Sequence, residues 1–304
     1  MLRRKILRKI YYTTLIVFVL FIISSFTFNK NIANIPVEYP THLSSIYLLD
    51  DNNYLLKVDI VVKDNLMDSI PIIINNLKQG NNHYSGLKGI VPSNTKINDI
   101  KIDNNIIKID FNEELLNINK ELEEKVIESI IYSLLGFKEI NGVRITINNK
   151  ELKKLPKSNI ILEDILTKDF GINKEYNIRS MNDIKKVVLY YYEEKDNNNY
   201  YVPVTKYLNS KDDKIKIIID NLKNNYLSQT NLMSYLNDKI NIIKYEKVSN
   251  LVTISFANIM DFNNELIEEE VIYTIANSLI DSNVATKVIF IENNHILSIK
   301  EKRP

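Results

Sequence analysis

The 304-residue chain contains no cysteine and no tryptophan, and only three histidines, six glycines and seven prolines. The absence of cysteine excludes disulfides, thiolate metal sites, a cysteine nucleophile and a lipid-modified cysteine. The histidines, His42, His83 and His295, stand at no metal-ligand spacing to one another. They read as a stalk residue, a loop residue and a residue near the last strand. No glycine-rich phosphate loop, nucleophile elbow or paired-histidine motif occurs. Charge of one sign is also lacking, since the net is +1. Arg3, Arg4, Lys5, Arg8 and Lys9 precede any acidic residue, and the first of these is Glu38. Beyond residue 9 the balance is 34 basic against 38 acidic, a net of −4. Nucleic-acid binding needs clustered Lys and Arg on phosphates, so a nucleic-acid partner is not expected. The richness in Ile, Asn and Lys is read as a coding bias of an AT-rich genome.

What is present begins with Tyr11–Phe28, an uncharged and mostly apolar run of 18 residues. At about 1.5 Å per residue it covers roughly 27 Å, close to the hydrocarbon core of a bilayer. The preceding basic residues place the N-terminus in the cytoplasm and the remainder outside. The competing reading is a cleaved secretion signal, but no small-x-small site follows at Phe26-Thr27-Phe28-Asn29-Lys30. The expected order is a basic segment (1–10), a transmembrane anchor (11–28) and a stalk (29–44) with Pro36 and Pro40.

The rest of the chain repeats itself at a shift of 145 residues. Ile72-Ile73-Ile74-Asn75-Asn76-Leu77-Lys78 meets Ile217-Ile218-Ile219-Asp220-Asn221-Leu222-Lys223. Ile107, Ile109 and Phe111 meet Val252, Ile254 and Phe256, and Val143, Ile145 and Leu152 meet Val288, Phe290 and Leu297. The leading strands need a slightly smaller shift, which implies a small insertion near Asp196–Asn199. The predicted unit starts with strands 46–50 and 54–62, followed by a helix capped at Ser69 with Pro71 in its first turn. The stripe Ile70, Ile73, Ile74, Leu77 gives that helix one buried face. The second copy repeats it at Ile215, Ile218, Ile219 and Leu222, with Asp212 and Asp213 near its N-terminus. A hairpin over 100–103 and 106–111 turns at Asn104-Asn105, and a helix over 120–135 stops at Gly136. A last strand holds Val143, Ile145 and Ile147. One sheet face covered by two helices makes each copy a two-layer sandwich of α+β class. The copies span 45–155 and 187–300. The linker 156–186 reads as exposed, with a short helix over 160–166.

Tyr47-Leu48, the helix end Leu77-Lys78-Gln79-Gly80 and the segment Gly86-Leu87-Lys88-Gly89-Ile90-Val91-Pro92-Ser93-Asn94-Thr95 resemble the GerM domain of sporulation and spore germination proteins. The strand Ile107–Phe111 and the helix ending at Gly136 fit the same pattern. The resemblance covers 45–155, while recognition of the second copy rests on the repeat. It implies a fold like the ring-building motifs of secretion systems. It also implies a mother-cell membrane protein facing the forespore that supports the channel complex joining the two cells. Its implied partners are other envelope or sporulation-channel proteins, in a homo- or hetero-oligomeric ring. Members of the family are usually lipoproteins, and with no cysteine this chain would rely on its helix instead.

No enzyme, cofactor or metal site is expected. Asp110, Glu113 and Glu114 form the best carboxylate cluster, but the second copy has Ser255, Asn258 and Ile259 in their places. They read as an acidic helix entry. Asp50 and Asp51 read as turn residues. Candidate interface residues are Gly80, Gly86, Leu87 and Pro92, in the loop 79–96, and Tyr190, Tyr192 and Tyr200, in two tyrosine runs. Alternating tyrosines in a strand also read as packing. The alternative function is an envelope module that binds peptidoglycan or another glycan without catalysis, and it calls for a concave site lined by aromatics and amides.

Overall fold

The computed structural model describes residues 41–81, 84–223, 231–236, 240–258 and 265–302. The expected anchor over 11–28 and most of the stalk lie outside these residues. Among the described residues no helix is long and apolar enough to cross a membrane.

The chain opens with β1 (Thr41–Leu49), which starts within the expected stalk, and returns as β2 (Leu55–Lys63). Helix α1 (Leu66–Asn76) then begins earlier than predicted. Its cap is Asn65, whose side chain accepts from the Met67 amide at 2.9 Å. Ser69, expected as the cap, is buried and donates to the Lys63 carbonyl at 2.5 Å. Pro71 therefore lies inside the helix, on its exposed side, so the carbonyl it leaves free can be solvated. Next come β3 (Ile97–Asp103), β4 (Ile106–Phe111), α2 (Lys120–Leu134), β5 (Gly142–Ile147) and the two-residue β6 (Lys150–Glu151). After the inter-repeat segment and β7 (Glu175–Asn177), the second copy repeats the order. It comprises β8 (Ile184–Lys195), β9 (Asn198–Asn209), α3 (Lys214–Lys223), β10 (Asn241–Val248), β11 (Leu251–Asn258), α4 (Glu265–Asp281), β12 (Lys287–Glu292) and β13 (His295–Glu301).

Paired Asn turns close the equivalent hairpins. Asn104-Asn105, Asn148-Asn149 and Asn293-Asn294 all take positive φ, between 48° and 65°. Asn tolerates the left-handed region that a tight hairpin turn needs.

The prediction of one sheet per copy is corrected by the topology. Each copy divides its strands between two sheets. Strands β3-β4-β5-β6 and β10-β11-β12-β13 form one four-stranded sheet in each copy. The leading hairpins leave their own copies and join in a common five-stranded sheet, β1-β2-β9-β7, with β8 also on β9. There β2 meets β9 antiparallel at Lys57 and Tyr201. Equivalent strands paired in opposite directions relate the two hairpins by a local twofold axis. A two-stranded hairpin is only marginally stable alone, and joining a second copy's hairpin removes an edge from each. The long helices lie between the layers, α2 against β1 and β5, α4 against β8 and β12. The apolar core is continuous through both copies.

The outer edges of the shared sheet are closed by serines. Ser129 Oγ donates to the Tyr47 carbonyl at 2.7 Å, and the Tyr47 amide donates to Ser133 Oγ at 3.1 Å. In the second copy Tyr190 replaces Tyr47, and its amide donates to Ser278 Oγ at 3.0 Å. Ser282 Oγ accepts from the Val188 amide at 2.7 Å. Helix hydroxyls thus satisfy backbone groups that a bare edge strand would offer to other chains.

The inter-repeat segment is not helical over 160–166 and is anchored to the body there, while residues 176–184 are exposed as expected. Leu155, Leu162, Leu166 and Ile172 are buried. Leu166 pairs antiparallel with Val143, and Ile161 with Lys154. Glu123 holds the turn by accepting from the amides of Lys157 and Ser158. Asn173, 2 % exposed at φ 48°, donates from Nδ2 to the carbonyls of Leu55 and Pro203, both at 2.9 Å. Its Oδ1 accepts from the Leu55 amide at 2.8 Å. One amide therefore ties β2 of the first copy to β9 of the second.

Candidate functional site

Two places in the body collect polar and aromatic side chains from both copies. The first is a cleft of about 290 Å³ between α2, the inter-repeat segment and α4. Its walls include Tyr47, Lys57, Tyr132, Lys168, Tyr273 and Asp281. Asp281 accepts from Lys168 Nζ at 3.0 Å on both oxygens and from the Tyr190 hydroxyl at 2.5 Å. Lys57 Nζ donates to the Tyr273 hydroxyl at 3.0 Å, and the Tyr273 ring lies 4.2 Å from that of Tyr201. The Tyr132 hydroxyl donates to the Lys168 carbonyl at 3.0 Å. Burial holds the Tyr47, Tyr132 and Tyr190 phenols well above their usual range, so they stay neutral donors. Amides from Asn141, Asn277 and Asn283 complete the lining. This chemistry suits hydrogen bonding to a neutral polar ligand.

The second place is the junction of the β1–β2 and β8–β9 ends. It brings together the two predicted interface regions, the loop 79–96 and the tyrosine runs. Lys88 pairs with Leu49 through two backbone bonds of 2.9 Å. In the second copy Met233 pairs with Tyr192 in the same way, although that loop has no glycine or proline. Gly86 packs against Lys195, where a Cβ would lie 1.9 Å from Cε, and Lys195 reaches Asp51 at 3.4 Å. Beneath them Asp50 and Glu193 are buried. Among the described residues no donor reaches Glu193 Oε2 or Asp50 Oδ2, and the two carboxyls act on one another. Burial first, and the Asp50 carboxylate second, push Glu193 up to about 7. Asp50 also serves the turn as expected, accepting from the Tyr54 amide at 2.5 Å.

Not every predicted interface residue faces solvent. Leu87, Pro92 and Tyr190 are buried and act in packing. Gly80 and Gly86 are exposed, while Tyr192 and Tyr200 are half-buried, Tyr192 stacked on Tyr235 at 3.9 Å. The buried pair Asp50–Glu193 and the Asp281 group were not legible in the sequence. Their partners come from distant segments.

The carboxylate cluster at the end of β4 is structural. Asp110 is 2 % exposed and accepts from Thr146 Oγ1 at 2.5 Å, the Asn149 amide at 2.7 Å and Asn98 Nδ2 at 2.9 Å. Burial would raise its pKa, but these hydrogen bonds and nearby Lys108 outweigh it and lower the value. That is opposite to what a general acid needs. Glu113 and Glu114 lie in a 3-10 turn behind it. His295 Nδ1 donates to the Asn293 carbonyl, 2.9 Å away, as a turn residue, and His83 lies outside the described residues. Among the described residues no group of three His, Asp or Glu could hold a metal.

Residues 45–153 match the family model Germane, described as sporulation and spore germination. The chain is 26 % identical over 250 residues to the spore germination protein GerM of Bacillus subtilis (strain 168), covering 79 % of this chain and 68 % of that protein. It is similar in fold to the solved tandem GerMN domains of the sporulation protein GerM from Bacillus subtilis. There the TM-score is 0.71 at 24 % identity, over 83 % of this chain and 91 % of that one.

Proposed function

We propose, from the premise that this chain is a tandem-domain member of the Germane family of sporulation and spore germination proteins, that it is a non-enzymatic assembly factor of the cell envelope. Held by the helix expected over 11–28, it supports assembly or localisation of the channel complex between mother cell and forespore. The observation that carries this reading is how the polar side chains are used. Asp110, Asn173, Glu123 and Asp281 are each committed to holding segments together. What remains for outside contact is surface, and surface is what an assembly factor offers. Deleting the gene in its host should lower spore yield and misplace channel proteins. Normal spores with normally placed channel proteins would reject the proposal.

A second reading, binding of glycan strands, is favoured by the cleft lined with tyrosines and Asn141, Asn277 and Asn283. Co-sedimentation of the full chain with purified peptidoglycan separates the two readings.

A further inference from the structure

The outer faces of the two four-stranded sheets share one backbone plan. Each has a bulge at the equivalent place, between Ile97 and Asp99 in β3 and between Ile242 and Lys244 in β10. In the first copy the bulged residue is Asn98, bonded to Asp110, which also holds Thr146. In the second copy Ile243, Ser255 and Ile291 occupy these positions. Ile243 is 66 % exposed, Ile296 60 % and Ile299 46 %. The register sets Ile296 beside Ile291 and Ile299 beside Ile289. Four isoleucines thus form an apolar block on β12 and β13.

The sheet edges differ too. In the first copy β6 has two residues, and Leu166 of the inter-repeat segment covers the next stretch of β5 at Val143. In the second copy β13 has seven residues and ends its sheet, and among the described residues no strand pairs with its outer edge. Edge strands are usually shortened, covered or charged against pairing. Strand β13 carries Lys300 and Glu301 at its end but presents Ile296 and Ile299 on its outer face.

We propose that a second copy of this chain docks on this edge, β13 against β13. The strands run antiparallel about a twofold axis between Leu297 and Ser298. Three observations select a second copy. First, the strand is self-complementary in that register, because Ile296 falls opposite the partner's Ile299, and this pairing occurs twice. Apolar cross-strand pairs stabilise sheets. Second, the charges on the face are already paired within it, Lys287 with Glu301 at 2.6 Å and Lys244 with Glu246. Two such faces meet without net repulsion, and an anionic lipid surface finds no free cation in these pairs. Third, equivalent strands of the module already pair antiparallel inside one chain, β2 with β9. An isologous contact of this kind closes at two subunits. The inference does not depend on the channel reading.

The absence of cysteine allows a direct test. Full-length Ile296→Cys and Ile299→Cys variants are purified in detergent, then oxidised mildly, separately and mixed. The mixture should give at least about tenfold more disulfide-linked dimer than either variant alone, because only the mixed pair brings the two thiols within disulfide reach. Sedimentation equilibrium should show a dimer for the wild type and a monomer for Ile299→Lys, with the melting temperature of that variant unchanged. Equal cross-linking in all three samples overturns the proposal, as does a wild-type mass unaffected by Ile299→Lys. A monomeric wild type that binds lipid vesicles through Ile299 also overturns it, and assigns the face to lipid.

Discussion

Asp110 in the first copy and Ser255 in the second occupy the same point of the same sheet. Around Asp110 the outer face is polar, with Lys101, Lys108 and Arg144 beside a carboxylate that three donors satisfy. Around Ser255 the face carries Ile243, Ile291 and Ile296. Inside, the copies agree closely: Val252, Ile254, Phe256, Val288 and Phe290 are as buried as Ile107, Ile109, Phe111, Val143 and Ile145. The comparison separates two roles for one fold. The inward pattern is what makes the module, so it is kept. The outward pattern is free to diverge, and it has done so in the direction of contact.

The sharpest way to break this picture is at the joint. Asn173→Ala removes hydrogen bonds to Leu55 and Pro203 and leaves buried backbone groups unpaired. We expect a loss of about 3 kcal/mol. Chemical denaturation should show both copies unfolding in one transition, and two separated transitions in the wild type would contradict the shared sheet. Next in size is the outer face itself. Asp110→Ala strands Thr146, Asn98 and the Asn149 amide, and should cost about 2 kcal/mol. Ser255→Ala, at the equivalent place, should stay within roughly 0.5 kcal/mol. Equal effects in thermal melts would show that the two faces do not differ as described.

The smallest expected effect concerns pH at the junction. Glu193 is raised to about 7 in the folded state, from an ordinary value of 4.5. The folded state therefore holds a proton that the unfolded state releases between these values. This contribution is fully present below about 4.5 and is lost as pH rises through about 7. Glu193→Gln imitates the protonated form. It should melt a few degrees above the wild type at pH 8 and close to it at pH 4.5. A variant less stable than wild type at pH 8 would remove the raised Glu193 pKa from the account.

Much of this architecture could be read from residue order. The stripe Ile70, Ile73, Ile74, Leu77 announced a helix face, and Asn104-Asn105 announced a turn, because both are local effects of periodicity and backbone sterics. The cap was misplaced from Asn65 to Ser69 because both are good capping residues, and the choice depended on where β2 ended. Burial of the tyrosine run was half legible. Alternation placed Tyr190 and Tyr191 on opposite faces, but whether each face was covered depended on α4 and on the other hairpin.

By itself the sequence determined that one helix-and-strand pattern occurs twice, that no thiol chemistry is available, and which side chains turn inward. These follow from short-range spacing and composition. Only the tertiary structure decided that the leading hairpins would pair with each other across the copies. It also decided that Leu162, Leu166 and Ile172 of the segment between them would be buried, and that Glu193 would meet Asp50. Those outcomes depend on which sheet edge is nearest once the helices have packed, and edge pairing through backbone groups leaves no mark on the side-chain order.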